Sequence, residues 1–313
     1  MENFNSFFRP LRLADRSTIV GTFLILIMAV TAIFYGGWDF LSSIRVETLS
    51  GEYFYTYNPY PSYWFFLPFA ILPPKMGYLL WNLANAFCLI FALRYWKGNF
   101  SAFAITIGCF WMFYGGEYDG FLAGALVLAL TANPWLAGFG LFVLTIKPQV
   151  GLIPILYILL QRRNWRMLAF PAALYLLSFA VHGWWIPEWL AHIRTGYNTH
   201  LLTPTNISMY PAGMLALFLI FRYWKSLKIW ILAGSLAMPY FPVYSLVTLF
   251  TMEPPAWQIS AAMWLFYIVP TLIPSLAWIL SMGFIIPLFL LALEIWKIEK
   301  SKTRPRHELK MEN

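Results

Sequence analysis

The feature that most limits what this chain can fold into is the recurrence of long apolar runs without charge. From Thr18 to Tyr35 there is no Asp, Glu, Lys or Arg, and comparable runs return as far as about residue 296. Sixty per cent of the 313 residues are apolar and only 11% are charged, where an ordinary soluble domain carries about 25% charged residues. Soluble packing cannot hide that much apolar surface, so the chain reads as an integral membrane protein. The runs contain proline and lack period-two alternation, which favours helices over an outer-membrane barrel. The expected fold is all-α and polytopic, a single transmembrane domain over 1–313 with roughly 10–12 crossings at the ~20 residues each requires.

The net charge of +8 does not indicate nucleic acid, because the basic residues fall in short clusters between apolar runs. With the N-terminus inside, Arg9, Arg12, Arg16, Arg94, Lys97, Arg162, Arg163, Arg166, Arg222, Lys225, Lys228 and the basic tail 297–313 gather on the inner side. Only Arg45, Lys75, Lys147 and Arg194 are left outside, the asymmetry expected of short cytoplasmic loops. Both termini are therefore expected in the cytoplasm of a plasma-membrane protein. The first run lacks a small-residue cleavage site and reads as an uncleaved anchor. Cys88 and Cys109 lie within apolar runs and imply no disulfide framework.

In chain order, the first span ends near Tyr35 and a first outer loop fills 38–75. Within that loop 63–74 is apolar but too short to cross, so it reads as an interfacial helix. Spans follow at about 76–93, 100–114, 120–131, 135–146, 150–160 and 167–183, then a second outer loop at 187–206. The remainder divides into 208–221, 229–251 interrupted at Pro239 and Pro242, 257–270 and 274–296. The spans at 120–160 are short for straight crossings, which points to tilted or broken helices around an outward-facing wet cavity.

This topology puts the scarce polar residues on the outer face, where ionisable groups near membrane depth are costly and usually serve function. Asp39, in YGGWDF at the end of the first span, is a candidate base for an acceptor hydroxyl; otherwise it is a solvated acid at a helix end. Glu117 and Asp119 are candidate substrate ligands, with solvation of a loop as the alternative; a metal would need further oxygen ligands that the sequence does not assign. At i and i+2 they do not share a helix face, so they act together only if the backbone is irregular, as the neighbouring glycines permit. Lys147, in TIKPQVG beside Gln149, stands apart from the inner clusters and suits an anionic phosphate, with snorkelling to headgroups as the alternative. Tyr57, Asn58 and Tyr60 either line a sugar subsite or anchor at the interface. Arg194 is a second phosphate candidate. His182 and His200 are candidates for phosphate or sugar; with His192 they show no compact ligand spacing, so no metal or cofactor is expected.

The order of these segments resembles a known family. The apolar span closed by Asp39 is followed by LPFAILPPKMGYLLWNLAN, GGEYDGFLAGALVL, LTIKPQVGLIPILYILLQRRNWRMLAF and TNISMYPAG. Together they are similar to glycosyltransferase family 87, membrane enzymes of the GT-C superfamily that include polyprenol-phosphate-mannose-dependent mannosyltransferases. The resemblance implies a GT-C-like fold and an inverting transfer of a hexose, mannose-like, from a polyprenyl-phosphate donor. The acceptor would be a glycolipid or glycan on the outer face, and the enzyme a monomer with no nucleic acid partner. It carries the acidic base onto Asp39 and the family's Lys-Pro pair onto Lys147–Pro148. Ser62 stands where the family usually has a second proline after Tyr60–Pro61. Glu117 stands where an amide is usual after Gly116. The rival expectations are a sugar or lipid transporter, whose polar groups would line both halves of the membrane, and a non-catalytic lipid-binding subunit.

Overall fold

The computed structural model describes residues 15–52, 58–200 and 205–303, and the side chains of all of these except 195–200. The helices start where the sequence supplies caps. Helix α1 (Arg16–Tyr35) begins on Asp15, whose carboxylate accepts the Thr18 N–H at 2.7 Å. Asn99, Thr106 and Asn133 cap α5 (Phe100–Ala104), α6 (Ile107–Gly115) and α8 (Pro134–Thr145) in the same way. Each side-chain oxygen satisfies a first-turn N–H that has no partner in its own helix. Proline opens α3 (Pro61–Ala70), α4 (Pro74–Trp96) and α9 (Pro148–Arg162), where its missing N–H costs nothing.

Three helical stretches among the described residues are long and apolar enough to cross a bilayer alone: Arg16–Tyr35, Pro74–Trp96 and Trp165–His182, the last containing α10 (Ala169–His182). A fourth, Pro274–Met282 with α16 (Ile285–Thr303), is bent by 40°. The other apolar helices are shorter. Helix α7 (Asp119–Ala129) has 11 residues, about 16 Å at 1.5 Å per residue, against a hydrocarbon core of about 30 Å. It avoids lipid by being central: every residue from Asp119 to Val127 is buried, with α4, α8 and α14 (Val247–Met252) packed around it. Small residues permit this. A Cβ on Gly120 would lie 2.6 Å from Asn85 Oδ1, and one on Gly124 would lie 2.9 Å from Cys88 Cβ, so the Gly-x-x-x-Gly face of α7 lets α4 approach closely.

The bundle has two chemically different ends. At one, Arg162 donates to the carbonyls of Leu130 and Thr131, and Ser17 bonds Asn99. There Lys228 and Lys297 both reach Glu253, and Glu253 follows α14. At the other end lie the end of α1, the α6–α7 junction and Lys147, between α8 and α9. The segment after α1 is helical, not an open loop: a π-helical turn (Phe40–Ile44) runs into α2 (Arg45–Ser50), and Glu47 is fully buried against Tyr63. The segment expected as a second outer loop is α11 (Ile186–His200). The expected span 100–114 breaks at Ile105–Thr106, where Thr106 caps α6. Span 229–251 divides as expected around its prolines, into α13 (Leu227–Ala237) and a 3-10 turn (Val243–Leu246) leading to α14. Helices α12 (Phe218–Arg222) and α15 (Trp257–Leu272) complete the bundle.

Candidate functional site

The polar end is built by two backbone breaks. At the first, α1 stops at Gly36–Gly37 and the Gly37 N–H donates to the Tyr114 carbonyl at 2.8 Å. At the second, α6 stops at Gly116, whose φ of +84° is the left-handed conformation glycine adopts without strain. A Cβ there would also meet Phe40 N at 2.9 Å. Trp81 of α4 holds this turn by donating to the Gly116 carbonyl at 3.0 Å. Asn85, one turn further along α4, accepts the Phe121 N–H at 3.2 Å, satisfying a first-turn donor of α7 from a neighbouring helix.

These breaks bring acids and a base together. Lys147 Nζ is 2.7 Å from Asp119 Oδ2 and 3.1 Å from Glu117 Oε2, and Lys147 is only 3% exposed. Its ammonium also sits over the rings of Tyr118, at 4.9 Å, and Tyr244, at 4.7 Å, a favourable arrangement for a desolvated cation. Burial alone would lower the lysine pKa, but Asp119 and Glu117 outweigh it and hold Lys147 protonated, above the ordinary lysine range. Asp39 lies beside this trio, with its Oδ2 and Glu117 Cγ on either side of Gly115. Burial, then the Glu117 charge, push Asp39 up to about 8, because both disfavour a second negative charge in a desolvated site. Tyr118 donates its hydroxyl to Asn58, joining the 58–60 segment to the cluster. A largely apolar pocket of about 500 Å³ opens nearby, walled by Trp38, Leu41 and Ser42 on one side and Phe110, Trp111 and Gly115 on the other; Asp39 does not line it.

The structure thus collects Asp39, Asn58, Glu117, Asp119 and Lys147. The expectation that Glu117 and Asp119 diverge holds for a continuous helix; here Glu117 follows the cap of one helix and Asp119 begins the next, so both reach Lys147. Lys147 is not the isolated cation the sequence implies, since two carboxylates already occupy it. Tyr60 is placed elsewhere, stacked on His182 with ring centroids 4.5 Å apart and against Trp185 at 5.7 Å. Gln149 is half-buried in the first turn of α9, and Arg194 is exposed on α11. Tyr57 lies outside the described residues, as does the side chain of His200. Sequence reading missed Tyr118, Tyr244, Trp81 and Asn85. One signal was present: Tyr78, Trp81, Asn82 and Asn85 recur at i, i+3, i+4 and i+7 in a membrane span, a polar stripe that must face protein.

A helical bundle too apolar for water, with short central helices shielded by longer ones and a buried charged cluster at one end, defines a polytopic membrane protein. Residues 55–210 match the model of glycosyltransferase family 87, and the chain belongs to that family. The matched stretch includes Asn58, Glu117, Asp119 and Lys147 and begins after Asp39. The chain finds no match among curated proteins or among solved structures.

Proposed function

We propose that the protein is an inverting hexosyltransferase that takes a mannose-like sugar from a polyprenyl-phosphate donor and passes it to a lipid-linked or glycan acceptor on the extracytoplasmic face. The observation that carries this reading is the position of Asp39, a carboxyl at the edge of a buried acid–lysine cluster and behind Gly115, which lines an apolar pocket. A group that must take a proton from a hydroxyl works best with a pKa near the working pH, and Asp39 is pushed that way. In the transfer, the acceptor O–H proton goes to Asp39 and the freed oxygen attacks the anomeric carbon. The bond from that carbon to the phosphate oxygen breaks on the opposite face, and the polyprenyl phosphate leaves carrying the electron pair. Lys147 holds Glu117 and Asp119 in the resting site; its charge reaches the donor phosphate by exchanging one of those carboxylates. The prenyl chain extends into the pocket lined by Tyr35, Trp38, Phe110 and Trp111. The basic end of the bundle faces the cytoplasm, as the positive-inside bias favours.

The test is transfer by purified protein in liposomes against a panel of polyprenyl-phosphate sugars, with product linkage determined. Wild-type protein is expected to transfer and Asp39→Asn to lose transfer while still binding donor. Undiminished turnover in Asp39→Asn, or no transfer from any lipid-linked donor, overturns the proposal.

A further inference from the structure

Gly115 is the one described glycine that the fold does not account for. Every other glycine described either has a positive φ or would bring a Cβ to within 3.2 Å of a neighbouring atom. Gly115 has neither property. It closes the last turn of α6, where alanine would serve the helix better. Beyond its own helix backbone and chain neighbours, a Cβ there would meet two atoms among the described residues. These are Asp39 Oδ2 at 3.4 Å and Glu117 Cγ at 3.5 Å, both ordinary contacts. A residue that breaks a local preference with no packing gain points to function.

The position is a junction. Gly115 is half-buried and lines the apolar pocket with Trp38, Leu41 and Trp111, and its Cβ direction ends against the Asp39 carboxyl. Asp39 is half-buried too, whereas Glu117, Asp119 and Lys147 are buried. Asp39 is thus the acid of the cluster that a ligand can touch, and Gly115 borders both the pocket and that carboxyl. We propose that Gly115 is a specificity-determining residue: its missing side chain leaves the opening through which the polar head of a lipid held in the pocket reaches Asp39. The inference rests on reading Asp39 as the base of the transfer, with the prenyl chain of the donor in the pocket.

A methyl group on Gly115 extends the pocket wall by a bond of about 1.5 Å. A sugar lying against Gly115 is pushed back by about as much, and a misplacement of about 1 Å costs about 100-fold in rate. The walls at Trp38 and Phe110, which hold the chain, are not narrowed, so donor binding survives. The fold survives as well, because neither contact of the new methyl is closer than 3.4 Å. A larger side chain closes the opening further.

The experiment probes the route directly with dicyclohexylcarbodiimide, an apolar reagent whose C=N bond takes up a carboxyl to leave an N-acylurea. Labelling is read by mass spectrometry on the peptide holding Asp39, and its loss in Asp39→Asn assigns the site. Wild type, Gly115→Ala and Gly115→Val are compared, alongside unfolding temperature in detergent and the affinity and kcat for a polyprenyl-phosphate mannose. Gly115→Ala is expected to unfold at or above the wild-type temperature, to bind the donor as the wild type does, and to lose about 100-fold in kcat. Labelling of Asp39 should slow in Gly115→Ala and slow further in Gly115→Val. Labelling as fast in both variants as in the wild type overturns the inference, whatever the transfer rates, and so does a wild type that is not labelled at Asp39. If labelling is unchanged and Asp39→Asn is inactive, Asp39 remains the base and only the opening at Gly115 falls. If labelling slows but Asp39→Asn still transfers, the opening stands and the catalytic reading falls.

Discussion

Lys147 Nζ lies 2.7 Å from Asp119 Oδ2 and 3.1 Å from Glu117 Oε2 in a site almost closed to water. One cation thereby joins two helical junctions: the break between α6 and α7, and the turn between α8 and α9. The Lys147 carbonyl closes the same turn by accepting the N–H groups of Val150 and Gly151, each at 2.9 Å.

Removing that cation should be expensive. Lys147→Met leaves Glu117 and Asp119 buried against each other, and breaking a buried pair by deleting one partner costs about 3–5 kcal/mol. Thermal unfolding in detergent should show a large loss for Lys147→Met and a substantial recovery on adding Asp119→Asn. A double variant no more stable than the single one would show that the pair is not what holds the junctions.

Gly116 and Gly51 separate strain from contact. Both have positive φ, +84° and +75°, but a Cβ on Gly51 meets nothing within 4 Å while one on Gly116 meets Phe40 N at 2.9 Å. Gly51→Ala should cost only the left-handed backbone penalty, roughly 1 kcal/mol. Gly116→Ala should unfold at a distinctly lower temperature and lose most transfer, because Phe40, next to Asp39, must move. Equal effects at the two positions would rule out this packing account.

At the opposite end, Glu253 is clasped by Lys228 and Lys297. Burial pushes its pKa up, but hydrogen bonds and charge from the two lysines outweigh that and hold it below the usual glutamate range. A depressed carboxylate contributes stability that is present above its unfolded pKa and is lost as pH falls through the folded value. Because these groups are partly exposed, the effect should be small, roughly 0.2–1 kcal/mol per pair. Unfolding temperature should therefore drop less between pH 6 and pH 3 in Glu253→Gln than in the wild type, and the difference should shrink in high salt. Parallel curves would mean the clasp contributes nothing.

Some of this was legible in the order of residues. Charge-poor runs require that backbone groups be satisfied without water, and with proline inside the runs and no period-two alternation that points to an all-helical membrane class. Asp39 and Lys147 stood out because each is an ionised group where the surrounding pattern offers no reason for one. Tyr244 did not, because a single aromatic residue in an apolar run carries no local sign of its neighbours; the stripe holding Trp81 and Asn85 shows that they face protein but not which helix end they meet. The junction that brings Asp39 towards Glu117 was equally invisible, since the Gly37 N–H bonds the Tyr114 carbonyl between two separate helix ends.

The sequence by itself determined the solvent this protein lives in and the division of its charges, because hydration free energy acts residue by residue. Only the tertiary structure decided that Lys147 is already paired and that Glu117 and Asp119 converge. It also decided that Asp39 sits where a carboxyl retains its proton. Those properties depend on distance and desolvation, which arise only when separate helix ends are brought to one point.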